Sequence, residues 1–241
     1  MIYLGNKKIG KVYLGDKKLS RIYLGDKLIW DGYPEGHIIG TTDFINDTTI
    51  HLADTTGDYT IKKLDGTTYD LTTATSEKRP FDFDLSKGVA GDSNFFYDRS
   101  NITSVKSFKI TIHSDNSSTT SNTIASLFIY CPDITYVNIN GIKISGANMD
   151  AYNICTSCSS LETVEAGRFP WNQINSLYSG FYGLPKLKVL NLSGANFDSV
   201  DINIWDYNFT NLGSIGTIVK VVGCSETTQN KILTKLNSTN N

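Results

Sequence analysis

Leu187-Lys188-Val189-Leu190-Asn191-Leu192 is the clearest copy of a phrase that recurs through the C-terminal half of this 241-residue chain, with apolar residues at its first, fourth and sixth positions. The apolar residues of the other copies are Val105-Phe108-Ile110, Ile134-Val137-Ile139, Leu161-Val164-Ala166 and, weakly, Ile215-Ile218. The first residues of the five copies lie 29, 27, 26 and 28 positions apart. A strand phrase with a period in the twenties predicts a solenoid, in which each unit adds one parallel strand and buries its apolar side against its neighbours.

Short segments around the phrases complete the repeat. A triplet that leads into the strand precedes three of the phrases, and a glycine follows each of the same three. The triplets are Cys131-Pro132-Asp133, Cys158-Ser159-Ser160 and Leu184-Pro185-Lys186, and the glycines are Gly141, Gly167 and Gly194. Over roughly residues 101–223 the pattern resembles leucine-rich repeats of the irregular, BspA-like variety of surface proteins. It departs from that variety in its longer units and in a last unit without the third apolar residue.

The resemblance implies a concave face lined by the side chains that lie between the apolar strand residues. A rigid concave array offers a protein or a glycan a platform at low ordering cost. The residues expected to bind there are Lys109, Tyr136, Asn138, Glu165 and Asn191, on a face shared with Ser107, Thr163 and Val189. Between the phrases lie aromatic residues that are either interface anchors or filling for the convex layer of the solenoid, and both interpretations stay open. These aromatic residues are Trp171, Tyr178, Tyr182, Trp205 and Tyr207.

The first thirty residues contain a second, shorter repeat. Ile2-Tyr3-Leu4-Gly5-Asn6-Lys7-Lys8-Ile9 recurs with small changes at residues 12–19 and 22–29, with a period of ten. Gly-Asn or Gly-Asp between β-prone runs is a two-residue hairpin turn signal, so a tight β-meander is predicted. Thirty residues cannot bury both faces of such a sheet, which needs the rest of the chain, other copies or an external surface as its partner. We favour docking or oligomerisation, with Tyr3, Tyr13, Tyr23 and Trp30 as the docking residues.

Charge also distinguishes this segment from the rest of the chain. Residues 1–30 carry seven basic and two acidic side chains, a net charge of +5, whereas the whole chain carries −2 and the remainder therefore −7. Such asymmetry favours a head that meets an acidic surface of a protein or a nucleic acid. The alternative is a solvated edge that keeps the small sheet soluble.

The repeated Tyr-Leu-Gly-Asp/Asn-Lys phrase ends in Leu28-Ile29-Trp30-Asp31. It resembles the N-termini of bacteriophage virion proteins from gut bacteria, over about an eighth of the chain. In those proteins the segment begins tail, fibre or head-appendage subunits. The resemblance therefore implies attachment to a virus particle.

Composition predicts a mainly β protein. The chain is 39% hydrophobic and 11% aromatic with only 5 prolines, which is enough to bury a core and favours strands over long helices. We predict a docking β-repeat at residues 1–32, a small β region at 33–100, and a leucine-rich-repeat-like solenoid at 101–241. Ser225 is expected to cap a short final helix that covers the last repeat with Ile232, Leu233 and Leu236 on one face.

The middle region is predicted to consist of short strands and one loop. The β-prone runs lie at residues 48–52, 59–64 and 68–71, separated by Asp-, Thr- and Gly-rich turns. The polar stretch at 72–91 contains Arg79-Pro80 and is expected to be an exposed loop.

Residues that could carry chemistry are few and lack the required partners. Cys155-x-x-Cys158 is half of a zinc or redox pattern without a second pair or a nearby histidine, so core packing is favoured for it. His37, His51 and His113 show no catalytic spacing, and Asp82 and Asp84, which could share one side of a strand and hold a cation, are better explained as solvated surface. We therefore expect no enzyme activity, no cofactor and no metal site.

Together these patterns predict a structural virion protein, either a fibre or a head or tail appendage subunit. Its expected partners are other virion proteins of the capsid, portal or tail, and a host-surface glycan or protein, with the chain itself a homo-oligomer. Neither nucleic acid nor a membrane span is expected, since no apolar run approaches the ~20 residues that cross a bilayer. The chain begins without a secretory signal, so assembly in the host cytoplasm and location in the virion are expected. The alternative is a bacterial cell-surface leucine-rich-repeat adhesin.

Overall fold

The computed structural model confirms a mainly β chain with a C-terminal β-solenoid of about three turns and a short C-terminal helix. The residues that it describes are 2–4, 7–9, 12–14, 17–19, 22–24, 27–30, 33, 35–42, 49–51, 72–74, 80–85, 89–90, 95–97, 102–113, 123–125, 127–146, 148–201, 209, 212 and 215–238.

The N-terminal repeat forms three antiparallel hairpins, one per ten-residue unit, as its turn signals predict. No pairing between successive hairpins is found among the described residues, so the continuous β-meander stays a prediction. In the first hairpin Leu4 pairs with Lys7, which leaves two residues for the turn. The described pairings of this segment lie within each hairpin. The six strands are β1 (Ile2–Leu4), β2 (Lys7–Ile9), β3 (Val12–Leu14), β4 (Lys17–Leu19), β5 (Ile22–Leu24) and β6 (Lys27–Trp30).

The middle of the chain contributes six further strands. They are β7 (His37–Thr42), β8 (Thr49–His51), β9 (Thr72–Ala74), β10 (Pro80–Asp84), β11 (Val89–Ala90) and β12 (Phe96–Tyr97). The predicted run at 48–52 is confirmed by β8, whereas the runs at 59–64 and 68–71 lie outside the described residues. The exposed loop predicted at 72–91 is wrong, because strands β9, β10 and β11 form there and Leu85 and Val89 are buried. Pro80 does not prevent a strand because it begins one at a sheet edge, where no ladder partner needs its missing N–H.

The solenoid is built from short strands joined by tight corners. Its strands are β13 (Ile102–Lys109), β14 (Thr111–His113), β15 (Thr123–Ala125), β16 (Phe128–Ile129), β17 (Tyr136–Asn138), β18 (Lys143–Ser145), β19 (Met149–Tyr152), β20 (Cys155–Thr156), β21 (Thr163–Glu165), β22 (Ile174–Tyr178), β23 (Val189–Asn191) and β24 (Ile218–Lys220), with a 3₁₀ turn at Trp171–Gln173. Each repeat unit forms one coil of the solenoid. Corresponding strands of successive coils pair in parallel, so each sheet runs along the solenoid.

Four sheets hold the coils together. The main sheet has the order β10-β7-β13-β17-β21-β23-β24, and the lateral sheet has the order β15-β19-β22. Two smaller parallel sheets, β11-β14-β18 and β12-β16-β20, complete the walls. Strands β7, β11 and β12 therefore pair directly with strands of the repeats, and β10 pairs with β7. The sheets cross the domain boundary predicted at residue 100, and the division into domains stays a prediction.

The register of the main sheet confirms the central repeats and corrects the outer two. Val137 pairs with Val164 and Val164 with Leu190, as the phrases predict. The first phrase is displaced by three residues, because Val105 pairs with Val137, where Phe108 was expected. β13 has two irregularities in its pairing with β7, so its buried residues do not follow the simple spacing.

The last phrase of the repeat is displaced by one residue from its predicted register, in which Ile218 would lie opposite Leu190. Leu190 pairs with Val219, and Ile218 points outward with 60% of its surface exposed. The outermost strand has a neighbour on one side only, so its sequence alternates less clearly between apolar and polar residues than that of an inner strand.

Aromatic side chains fill the two ends of the solenoid core. Phe108 lies edge-on to Phe95, with ring centroids 5.0 Å apart, and Phe96 stacks on Phe128 at 5.2 Å. At the other end Trp171 packs edge-on against Phe197 at 5.2 Å, and its indole nitrogen donates to the Ala166 carbonyl at 2.7 Å.

One glycine marks a close approach of adjacent coils. A β-carbon at Gly167 would lie 2.0 Å from the carbonyl oxygen of Ser193 in the next coil. The residue there must therefore be glycine for the coils to keep their spacing.

The C-terminal helix, α1 (Glu226–Ser238), is capped as predicted. The Ser225 hydroxyl accepts the backbone N–H of Thr228 at 3.0 Å. Ile232 is buried and Leu236 packs against the core, but Leu233 is 55% exposed, so its predicted place on the buried face is wrong. Residues 232 and 236 are four apart and share one side of a helix, whereas 233 is rotated away from that side.

Candidate binding surfaces

The N-terminal docking residues have a defined backbone register. Tyr3 lies opposite Lys8, Tyr13 opposite Lys18, and Tyr23 opposite Leu28. Trp30 lies opposite Ile22 at the end of the third hairpin. The side chains of these residues are outside what the structure describes, so their role in docking stays a prediction.

The outward side of the main sheet gathers four of the five residues predicted for ligand binding. One row across the strands contains Tyr136, Thr163, Val189 and Ile218, and a second row contains Asn138, Glu165, Asn191 and Lys220. The structure thus brings Tyr136, Asn138, Glu165 and Asn191 onto adjacent strands of one sheet.

Lys109, the fifth predicted residue, lies apart from these rows. It ends the part of β13 that pairs with β7, where it stands opposite His37. Its ammonium group donates to the backbone carbonyl of Tyr33 at 3.0 Å. Lys109 therefore ties residue 33 to the first coil, and Ser107, predicted on the same face, is fully buried beside it.

The two asparagines of the second row are bonded within the solenoid. Asn138 is only 3% exposed, donates to the Lys106 carbonyl at 3.2 Å and accepts the N–H of Asn140 at 3.1 Å. Asn191 donates to the Glu165 carboxylate at 2.8 Å and accepts the N–H of Ser193 at 3.0 Å. Both side chains join one coil to the previous one and stabilise the turn that follows their strand.

A second surface is formed by tyrosines. Among the described residues, four aromatic side chains are between 37% and 49% exposed: Tyr130, Tyr152, Tyr178 and Tyr182. We call these four residues the tyrosine surface. Tyr152 and Tyr178 are direct partners in the lateral sheet, with ring centroids 6.5 Å apart.

Tyr130 and Tyr182 lie at the neighbouring corner of the solenoid. The Tyr130 N–H donates to the Thr156 carbonyl at 3.1 Å, and the Ser157 N–H donates to the Tyr182 carbonyl at 2.8 Å. Tyr182 follows Tyr178 by four residues on the same coil. The tyrosine surface therefore spans three successive coils.

Two corners beside these tyrosines have unusual backbone geometry. Asn153 and Ser179, which follow Tyr152 and Tyr178, both have a φ of 52°, and at the next corner Tyr130, Ser157 and Gly183 have φ angles of 53°, 54° and 69°. Residues other than glycine rarely adopt this left-handed conformation, so its repetition on successive coils shows that each corner keeps its shape from coil to coil. The Thr156 hydroxyl strengthens the first of these corners by donating to the Ser179 carbonyl at 2.6 Å.

Only part of the tyrosine surface was foreseen from the sequence. Tyr178 and Tyr182 were left open as interface anchors or convex filling, and the structure exposes both. Trp171 is buried and fills the core, while Trp205 and Tyr207 lie outside the described residues. Tyr130 and Tyr152 were missed, although Tyr152 precedes Tyr178 by 26 positions, one period of the repeat, and this spacing could have revealed it.

The cysteines pack in the core, as predicted for Cys155 and Cys158. Cys131, Cys155 and Cys158 are buried, all four cysteines are free thiols, and Cys131 and Cys158 occupy successive coils at the site that Leu184 fills next. Burial raises the pKa of the Cys155 thiol, and a hydrogen bond with Cys131, followed by burial, raises the pKa of Cys158. These thiols therefore stay protonated and unreactive near neutral pH.

The remaining residues singled out in the sequence are dispersed. Asp82 and Asp84 lie in strand β10 opposite Ile39 and His37, and His113 ends strand β14. No group of three or more His, Cys, Asp or Glu residues in the described ranges is placed to hold a metal ion. No helix in the part of the chain that the structure describes has the length and apolar character to cross a membrane.

The chain matches no family model, no curated protein and no solved structure.

Proposed function

We propose that this protein is a structural virion protein, a fibre or a head or tail appendage subunit. It docks through its N-terminal hairpins to another virion protein and presents the solenoid outward to a host surface or to a neighbouring subunit. The protein is not an enzyme in this proposal, and its expected state is a homo-oligomer assembled in the host cytoplasm. The proposal combines the phage-like N-terminal repeat with the binding surfaces of the solenoid.

The observation that carries the proposal is the contrast between the two ends of the chain. Three hairpins of three- and four-residue strands, each paired only within itself among the described residues, carry a net charge of +5 over residues 1–30. Two-stranded hairpins are marginal alone and gain stability from a partner, and the basic charge favours an acidic one. The solenoid, by contrast, has its own continuous core and needs no partner to bury it.

A bacterial cell-surface adhesin is the second candidate. The solenoid and its resemblance to irregular, BspA-like leucine-rich repeats favour it, because such arrays display extended binding faces. The two candidates differ in what the hairpins do, since an adhesin does not need them to enter a particle.

The test is removal of residues 1–30. We expect the shortened chain to keep the β circular dichroism spectrum and the melting transition of the full chain, and to lose co-sedimentation with virions of the phage that encodes it. The full chain is the control for incorporation. If the shortened chain folds and incorporates normally, docking through the hairpins is wrong and the adhesin becomes the better explanation.

A further inference from the structure

We propose that the tyrosine surface binds an uncharged polysaccharide chain that extends along the solenoid, across successive coils. The inference rests on the proposed function, for which it names the ligand class and the binding face. It places that face on the lateral sheet and its corner, away from the outward rows of the main sheet.

The spacing of the tyrosines is the first argument. Tyr152 and Tyr178 are paired on adjacent parallel strands, whose separation of about 4.8 Å is close to the length that one pyranose unit adds to an extended chain. The two rings are 6.5 Å apart, and 37% of Tyr152 and 46% of Tyr178 remain exposed. The rings are tilted by 53° to each other. Partly exposed rings one coil apart offer apolar surface to neighbouring sugar units, whose C–H groups pack well against aromatic rings.

The polar neighbours of the tyrosines are the second argument. The lateral sheet has an irregularity at which Asp150 alone lies opposite two residues of β22, Asn175 and Ser176. A bulge of this kind turns side chains toward a surface, and Asn175 is exposed while Asp150 and Ser176 are half-buried. A carboxylate, an amide and a hydroxyl supply both donors and acceptors for the hydroxyl groups of a sugar.

Charge argues for a neutral ligand. Strands β15, β19 and β22 contain one acidic residue, Asp150, and no lysine, arginine or histidine. A phosphate-rich ligand such as nucleic acid would meet no cation on this sheet.

The tyrosine surface is composed of aromatic and polar side chains. The exposed aliphatic side chains among the described residues lie elsewhere, near the C-terminal end. They are Ile215, Ile218, Val222 and Leu233. The tyrosine surface therefore combines aromatic rings with hydroxyl and amide groups, which suits a carbohydrate.

The test uses the full-length protein on an array of neutral and charged microbial polysaccharides, followed by titration calorimetry with the glycan that binds best. We expect binding to an extended neutral glycan and at least a tenfold loss of affinity in the double variant Tyr152→Ala/Tyr178→Ala. The variant Tyr152→Phe/Tyr178→Phe keeps both rings and is expected to retain most of the affinity. Leu233→Ala, on the exposed side of α1, is the matched control and should bind as the parent does.

Three results would overturn the inference. They are binding to no glycan on the array, equal binding by the double alanine variant, and attachment only to a protease-sensitive component of the host surface. Circular dichroism and melting of every variant show whether it is folded. If the double alanine variant does not fold, the single variant Tyr178→Ala, at a position 46% exposed, keeps the test decisive, and equal binding by it would overturn the inference. Particle incorporation, measured in parallel, separates this inference from the proposed function. Incorporation without glycan binding would reject the glycan as ligand and leave the virion role standing. Glycan binding without incorporation would reject docking to the virion and leave the glycan as ligand.

Discussion

Leu190 shows how a single residue contributes to this fold. It is fully buried, and it lies in β23, next to the edge strand of the main sheet, between Val164 and Val219. The side chains of its neighbours Val189 and Asn191 point to the opposite, outward side of the strand and are partly exposed. The stacked row of apolar residues, one per coil, is therefore the core of the solenoid.

Truncating Leu190 tests that row. We expect Leu190→Ala to lower the free energy of unfolding by about 2–5 kcal/mol, because it leaves a cavity that the coils on both sides cannot close. The measurement is denaturant unfolding followed by circular dichroism. Val189→Ala, one position away and facing outward, should change the stability much less. A shift near zero for Leu190→Ala would contradict the observed register.

At the scale of elements, a polar network joins α1 to residues 197–200, which follow the last glycine of the repeats. The Asp198 carboxylate accepts hydrogen bonds from the hydroxyls of Ser225 and Thr228, and the Thr228 hydroxyl also accepts the N–H of Phe197 at 2.9 Å. The Lys231 ammonium donates to the carbonyls of Phe197, Asp198 and Val200 at 2.7 to 2.8 Å. Side chains at the N-terminus and in the first two turns of the helix thus hold residues 197–200 in place.

We expect this network to make the attachment of α1 dependent on pH. The hydrogen bonds from Ser225 and then Thr228 lower the pKa of Asp198 below its ordinary value of 3.8. A carboxyl whose pKa is lower in the folded than in the unfolded chain stabilises the fold above its unfolded pKa. That contribution is lost as the pH falls through the lower, folded pKa.

Asp198→Asn is expected to melt at a lower temperature than the parent at pH 7. As the pH falls from 3.8 through the lower pKa of the folded chain, the two melting temperatures should converge, because the parent carboxyl then becomes protonated as well. Thermal melting from pH 7 to pH 2 measures this, with Asp133→Asn, in an exposed turn, as the control. A constant difference at all pH values would show that the carboxylate charge is not what holds the helix.

For the whole molecule, the docking proposal separates assembly from folding. We expect Tyr13→Ala to leave the melting temperature of the free chain almost unchanged and to weaken co-sedimentation with virions. The structural reason is that β3 pairs only with β4 among the described residues, so the solenoid core does not depend on this hairpin. Tyr136→Ala removes the same side chain from the solenoid and is the control. Equal incorporation of both variants would count against Tyr13 as a docking residue.

How far the sequence predicts the fold depends on the strength of its local signals. The hairpins follow from Gly-Asn and Gly-Asp turns, and the central coils follow from the apolar phrases around Val137, Val164 and Leu190. The strand at 80–84 was not foreseen, because a proline and two aspartates are typical of a loop unless the segment lies at the edge of a sheet. The register of Val105 was not foreseen either, because it depends on the irregular pairing of β13 with β7.

The candidate surfaces were predictable only in part. Alternation along the strands places Tyr136, Asn138, Glu165 and Asn191 outward, as expected. It does not reveal that both asparagines are bonded within the solenoid, since their partners are 26 and 32 positions away in the sequence. Nor does it reveal the tyrosine surface, whose members belong to different strands and corners.

The sequence by itself determined the β-rich class, the hairpin repeat, the period of the coils and the cap of the last helix, because each depends on residues close together in the chain. The tertiary structure alone decided the register of the outer strands, the addition of β7, β10, β11 and β12 to the solenoid sheets and the pairing of Tyr152 with Tyr178 on adjacent strands. The physical reason is that coil stacking brings together residues about one repeat apart, and local periodicity does not specify how far each coil is displaced or bulged relative to the next.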